Sequence, residues 1–287
     1  MTISPRRSVL FMPGSNARAL EKAKSLNADV IVFDLEDAVS DAEKGTARVQ
    51  VSEALTAGGY GERELVVRIN GLDTTLAKFD IGALAIAGVK TILVPKVSSV
   101  VDVEDVVALL SAQGSKAKLW LMIETPAGVL NAADIAAADP RIEALVFGSN
   151  DLTKEMRAQP EAGRAPLQTT MSMTVMAARA AGVDVIDAVY NAFNDEDGLK
   201  AECKQGRAFG FDGKSLIHPK QIDAANATFG PSEAEIKTAK RQIAAFKKAK
   251  AEGSGVAVLD GRMIEELHVV EAKQLVALAD AIKKRGH

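Results

Sequence analysis

The chain of 287 residues is poor in several things, and each scarcity closes a class of function. It holds one cysteine, Cys203, so no disulfide can form within the chain, which fits a reducing compartment such as the cytoplasm. No run approaches the roughly 18 apolar residues that a membrane-spanning helix needs. The opening stretch Met1-Thr2-Ile3-Ser4-Pro5-Arg6-Arg7 is followed by no apolar core of signal length. The expectation is a soluble, cytoplasmic protein with no membrane partner. Charge of neither sign is in excess: a net charge near −3 and a pI near 5.8 give no electrostatic reason for a nucleic-acid partner. Histidine is scarce too, and His218, His268 and His287 have no metal-ligand spacing, which argues against a zinc site. No G-x-S-x-G elbow marks a serine hydrolase. No G-x-G-x-x-G follows the first strand, which weakens a dinucleotide reading.

What is present is an ordinary globular composition, 47% hydrophobic and 25% charged, arranged as short apolar runs alternating with helical patterns. Ser8-Val9-Leu10-Phe11 reads as a strand stopped at Pro13-Gly14, and Asn16 is placed to cap a helix from Ala17 to Leu26. Val30 to Leu35, Leu65 to Ile69, Thr91 to Val94, Leu119 to Ile123, Ala144 to Phe147 and Val183 to Asp187 read as further strands, with Gly210 to Lys214 a weak eighth. Helices are expected at Lys44 to Ala57, Leu76 to Ala87, Val101 to Leu110, Asn131 to Ala137, Gln168 to Ala181 and Asp195 to Gly206. Eight strands alternating with helices predict a (β/α)8 TIM barrel over residues 1–230, with an open doubly wound sheet as the alternative. Residues 231–287 read as a helical extension. Its parts are a basic amphipathic helix from Ser232 to Glu252, a break at Gly253-Ser254-Gly255, a short strand or turn at Val256 to Leu259, and a last helix from Glu265 to Lys284. An appendix of this size packs on its own barrel or crosses to a neighbouring subunit as a lid, and the second is the expectation.

The chemistry is expected where parallel strands end. The continuous apolar run Leu119-Trp120-Leu121-Met122-Ile123 suits a strand buried on both faces, and it ends in Glu124-Thr125-Pro126. The next strand repeats the design, with Gly148-Ser149-Asn150-Asp151 just beyond its end. Two carboxylates at the ends of successive parallel strands point into one cleft, a donor set for a hard cation such as Mg²⁺. Asp34, Glu36 and Asp37 are either a solvated loop or acids that support the metal from behind its ligands. Arg68 is a cation inside an apolar strand. It either pairs with Glu36 or Asp37 or binds a carboxylate or carbonyl oxygen of substrate with its planar fork. Lys96, in the same layer, is expected in a structural ion pair rather than as a Schiff-base lysine. His218 reads as a shaping or cofactor-contacting residue, and Cys203 as a buried structural thiol. Asp260-Gly261 is a common turn pairing; the other reading is that this acid works at a site.

Several motifs appear in a fixed order: Arg7-Ser8-Val9-Leu10-Phe11-Met12-Pro13-Gly14-Ser15, Asp34-Leu35-Glu36-Asp37, Val67-Arg68-Ile69-Asn70-Gly71, Val94-Pro95-Lys96, Ile123-Glu124-Thr125-Pro126, Gly148-Ser149-Asn150-Asp151-Leu152 and Leu216-Ile217-His218-Pro219-Lys220. Together they closely resemble the citrate lyase β subunit-like branch of the HpcH/HpaI aldolase family, which includes malyl-CoA lyase, citramalyl-CoA lyase and malyl-CoA thioesterase. The resemblance implies Mg²⁺ ligands at Glu124 and Asp151 and a substrate arginine at Arg68. It implies CoA contacts around Phe11, Lys22, Ile217 and His218, and an Asp260 that reaches into an adjacent subunit's site within a homo-oligomer, a trimer or hexamer. Asn16 departs from the pattern: some malyl-CoA lyases have an arginine there near the CoA phosphates, with Arg18 and Lys22 the possible substitutes here. The implied activity is Mg²⁺-dependent cleavage or formation of a β-hydroxyacyl-CoA such as malyl-CoA or citramalyl-CoA, giving acetyl-CoA and an α-keto acid (glyoxylate or pyruvate). The alternatives are hydrolysis of the (3S)-malyl-CoA thioester and service as the β subunit of a citrate lyase complex. The short insertion after Asp151, with Asn191-Ala192-Phe193, resembles the thioesterase branch most.

Overall fold

The computed structural model describes residues 4–159 and 161–285; Met1 to Ile3 and His287, which entered the sequence reading, lie outside these. The described residues divide into two compact units, one of residues 6–225 and one of residues 226–285 with residues 4–5. The first unit is a closed barrel of eight parallel strands joined in sequence order: β1 (Ser8–Pro13), β2 (Val30–Asp34), β3 (Glu64–Arg68), β4 (Thr91–Val94), β5 (Lys118–Ile123), β6 (Ile142–Phe147), β7 (Asp184–Asp187) and β8 (Gly213–Leu216). Helices connect them: α1 (Ala17–Ala23), α2 (Lys44–Ala57), α3 (Leu76–Ile86), α4 (Val100–Ala112), the short pair α5 (Pro126–Leu130) and α6 (Ala132–Ala137), α7 (Ser149–Glu155), α8 (Gln168–Ala181) and α9 (Glu196–Phe209).

Local chemistry sets these boundaries. Asn16 caps α1 by accepting the N–H of Ala19, but the helix ends at Ala23, three residues short of the sequence expectation. Thr125 caps α5 with Pro126 in its first turn, so Glu124 is the last residue before a sharp start of helix. The eighth strand begins at Gly213 rather than Gly210. Gly210 is instead the left-handed C-cap of α9 (φ 99°), and β8 starts only where Lys214 can pair with Ser8.

The barrel interior is filled by alternate residues of its strands, as a period of two demands. Val9 and Phe11, Val30 and Val32, Val66, Leu93, Trp120 and Met122, Ala144 and Val146, and Ile186 form one buried cluster. At its lower end Arg6 pairs with Glu64, Glu143 and Asp184 and lies 4.9 Å over the Trp120 ring, which closes the barrel below.

The second unit begins within α10 (Ile222–Phe229) and holds α11 (Glu233–Ala251), a hairpin of β9 (Ala257–Leu259) and β10 (Arg262–Ile264), and α12 (Glu266–Lys284). Its small core joins Phe246, Ala257, Ile264 and Val269. No helix among the described residues is long and apolar enough to cross a membrane.

Candidate active site

The alternation that fills the barrel also builds the site above it. One step beyond Val32 on the same column is Asp34; beyond Val66, Arg68; beyond Met122, Glu124; beyond Val146, Gly148. Polar groups therefore take over at the carboxyl ends of the strands, on an apolar floor.

Glu124 is 2% exposed. Its Oε1 accepts the Lys96 N–H at 2.9 Å, an amide turned toward it by the left-handed backbone of Lys96 (φ 54°). Its other side lies against Gly148, where a Cβ would collide with both the Cβ and Oε2 of Glu124. Burial pushes its pKa up to about 7, with the nearby charges of Glu36 and Asp151 adding to the rise; the Lys96 N–H and Arg68 oppose it. Asp151 is half-buried in the first turn of α7, directly after the strand next door. A carboxylate driven toward protonation by burial and, after it, by the acids Glu36 and Asp151 fits a hard divalent cation that keeps water and substrate oxygens in its remaining positions. Among the described residues no group of three or more histidine, cysteine or acidic side chains forms a closed metal cage.

Arg68 stands in register with Asp34 on the adjacent strand. Its Nε and Nη2 donate to the two Asp34 oxygens at 2.7 and 2.5 Å, a bidentate fork. Its Nη1 lies 2.9 Å from Glu36 and 3.5 Å from Asp37, with the Met122 sulfur at 3.8 Å, and its guanidinium sits 5.2 Å over the Phe11 ring. Burial opposes ionisation of Asp34. The charge and hydrogen bonds of Arg68, with the N–H groups of Glu36 and Ala38, outweigh it and hold the carboxyl below its ordinary range. Burial raises the Glu36 carboxyl, against the pull of Arg68 and Lys96. Lys96 Nζ pairs with Glu36, and that contact overcomes burial to keep the ammonium charged, opposite to what a Schiff-base lysine needs. The sequence reading left Asp34, Glu36 and Asp37 as a solvated loop or as acids behind the metal ligands; in the structure Asp34 and Glu36 pair with Arg68, Glu36 also with Lys96, and Asp37 is exposed 3.5 Å from Arg68.

The remaining expected contacts fall into separate places. Phe11 is buried beneath Arg68. Lys22 is exposed on α1. Ile217 is exposed, and His218 stacks on Phe193 at 4.9 Å while its Nδ1 accepts the Lys220 N–H. Cys203 is buried and its thiol is pushed up to about 11 by burial. Asp260 belongs to the second unit. With Gly261 it forms the two-residue turn of the β9–β10 hairpin, both at positive φ (49° and 76°), and Arg241 forks it at 2.7 and 2.9 Å.

Sequence reading missed the residues that hold this apparatus still. Lys44 is buried and donates from Nζ to the carbonyls of Leu35 and Glu36 at 2.9 and 2.6 Å. Asp80 accepts both the backbone and side-chain N–H of Asn70. Asp80 had a visible signal, because it stands among Ala77, Ile81 and Leu84 on the buried face of α3.

A family model for HpcH/HpaI aldolase/citrate lyase matches residues 7–219. The chain is 51% identical to the (3S)-malyl-CoA thioesterase of Cereibacter sphaeroides (strain ATCC 17025 / ATH 2.4.3), over 98% of this chain and 97% of the relative. It is 39% identical to the citrate lyase subunit beta of Leuconostoc mesenteroides subsp. cremoris, over 96% and 94%. Its fold superposes on CitE from Mycobacterium tuberculosis in complex with magnesium, acetoacetate and coenzyme A, with a TM-score of 0.77, 29% identity and coverage of 95% and 97%.

Proposed function

The chain belongs to the HpcH/HpaI aldolase/citrate lyase family, and from that premise we propose that it is a Mg²⁺-dependent enzyme of malyl-CoA-type thioesters, hydrolysing the thioester to free CoA and the acid. The observation that carries this reading is buried Glu124 with the charge of Asp151 near it, beside a guanidinium that Asp34 holds by one edge. Asp34 fixes Arg68 by its Nε–Nη2 edge, and the Nη1 edge, which Glu36 meets at 2.9 Å, is the one assigned to a substrate carboxylate. Glu124 and Asp151 would hold the ion, which when bound supplies Lewis-acid polarisation of a substrate oxygen. Arg68 would grip the distal carboxylate of the acyl group, with Lys96 beside it. Phe11 keeps the floor of the cleft apolar and excludes water from beneath the guanidinium. Lys22, Ile217 and His218 are assigned to the CoA moiety.

Hydrolysis needs a proton taken from water as it adds to the thioester carbon, and the sulfur leaves as the thiol. Asp260 of a neighbouring copy is assigned that proton, within a homo-oligomer whose second units act as lids. Support for such docking is an exposed apolar face on that unit. Val258, 73% exposed, and Met263, 59% exposed, are cross-strand partners on the hairpin, with Leu267 and Val270 following on α12.

The likeness to a thioesterase at 51% identity moves hydrolysis ahead of carbon–carbon cleavage, which the motifs alone put first. Cleavage remains the second reading because Arg68 suits it equally: the substrate hydroxyl loses its proton, the Cα–Cβ bond breaks, and the acetyl carbon takes a proton. The higher identity to the thioesterase than to the citrate lyase subunit also supports a free-standing enzyme. One assay separates the outcomes. With malyl-CoA and Mg²⁺, hydrolysis releases free thiol and malate with no keto acid, whereas cleavage releases glyoxylate with the thioester intact. Glyoxylate appearing in step with substrate loss, without thiol, would reverse the order of the two readings.

A further inference from the structure

Arg68 has two hydrogen-bonding edges, and Asp34 takes one. The second edge is covered by Glu36, whose Oε2 lies 2.9 Å from Nη1 while its Oε1 meets Lys96 Nζ. A single carboxylate thus sits between the two cations of the site. Its hold on them is uneven: Oε2 is within ion-pair distance of Arg68 yet makes no aligned hydrogen bond, unlike the fork from Asp34. The main chain around it is fixed. Asp34 accepts the N–H of Glu36 and of Ala38, and Lys44 binds the carbonyls of Leu35 and Glu36. Only the side chain can turn, and the neighbouring Asp37 is 60% exposed, so open solvent lies beside it.

We propose that Glu36 is a built-in stand-in for the substrate's carboxylate: it neutralises Arg68 and Lys96 in the empty cleft and swings out toward solvent when an acyl group bearing a distal anion arrives. Asp34 alone orients Arg68, so the guanidinium keeps its position through the exchange. An acyl group with a neutral end cannot replace Glu36, because its entry would leave half-buried Lys96 and the outer edge of buried Arg68 without the carboxylate they share. The device makes the cleft selective for acyl-CoA substrates and keto acids that carry a carboxylate. It rests on the reading that Arg68 receives that carboxylate.

The test is calorimetric titration of pyruvate, as a carboxylate-bearing keto acid, into the Mg²⁺-saturated full-length protein, with Mg²⁺ titrated separately. Glu36→Gln removes the competing charge at nearly constant shape, and pyruvate should bind about tenfold more tightly, the size of one charged hydrogen bond. Mg²⁺ affinity should stay as in the wild type. Glu36→Ala should tighten pyruvate as well, which covers the case of the glutamine amide taking over the lysine contact. Pyruvate bound by the wild type but no more tightly by either variant overturns the inference alone. Loss of Mg²⁺ affinity in both variants also overturns it, by making Glu36 a support of the metal. A wild-type protein that binds Mg²⁺ but no pyruvate overturns the reading of Arg68 and the inference with it.

Discussion

Glu124 owes its character to its seat more than to its position in the chain. A carboxylate one residue past a buried strand was legible, because the run from Leu119 to Ile123 has no other polar member. The seat was not, because it is assembled from the Lys96 amide and the missing side chain of Gly148, both distant in sequence. Gly148→Ala should push Glu124 aside while leaving the barrel folded. Mg²⁺ affinity should fall roughly 10–100-fold, the usual cost of disturbing what orients a metal ligand; titration calorimetry with a melting curve on the same sample checks it. Arg68 carries the converse lesson. Its need for a partner was evident from its apolar strand, and Glu36 and Asp37, the partners the sequence offered, do lie against Nη1; the fork itself goes to Asp34 because register sets those two side chains abreast. Arg68→Lys cannot reproduce a two-edged fork. The keto-acid KM in the condensation direction should rise far more than the KM for the CoA thioester; an unchanged keto-acid KM would make Arg68 purely structural.

At the scale of elements, the polar insertion after α7 is tied to the barrel wall by a buried network that no local pattern announced. Arg164, in left-handed conformation (φ 52°), donates to Asp187 at 2.6 Å, and Lys214 reaches both Asp187 and Glu202 at 3.1 Å. Lys214 was read as part of a weak strand. Its alternation places it outward, behind the barrel and against α9, where it is fully buried. Burial opposes ionisation of Asp187, but Lys214 and Arg164 prevail and hold its carboxyl below the ordinary range. A depressed folded-state pKa contributes stability that is present above the unfolded value of about 3.9 and is lost as pH falls through the folded value. Asp187→Asn should therefore cost roughly 3–5 kcal/mol at neutral pH, since it leaves two buried cations with Glu202 as their one carboxylate. That gap to the wild type should hold down to about pH 4 and narrow below it. Denaturant unfolding across the acid range reads this directly, and a gap that widened on acidification would contradict the assignment.

At the scale of the whole molecule, the barrel could be read from eight apolar runs alternating with helices, and the last two helices from their amphipathic spacing. Of the hairpin between those helices, the first strand near Val256 to Leu259 and the turn were legible and the return strand Arg262–Ile264 was not. Three-residue strands are too short to show a period, and only the Asp260-Gly261 pair marks the turn. That turn and the exposed pair with Arg241 already give Asp260 a local reason to be an acid, and such an exposed pair stabilises little. A role at a neighbour's site therefore has to be tested by function. Asp260→Ala and Glu124→Ala proteins, each inactive alone, should regain part of their activity when mixed into verified hybrid oligomers. Some sites would then join an intact Glu124 to an intact Asp260 from the adjacent copy. No recovery would place Asp260 in its own subunit's site or in none.

The claim beneath all of these is that Glu124 and Asp151 hold the ion that makes the cleft an enzyme. The most direct measurement is turnover of malyl-CoA by Glu124→Ala at saturating Mg²⁺, following thiol and keto acid in parallel on protein whose melting curve matches the wild type. The account predicts that both products disappear; near-normal turnover that chelation still abolishes would show that the metal binds elsewhere.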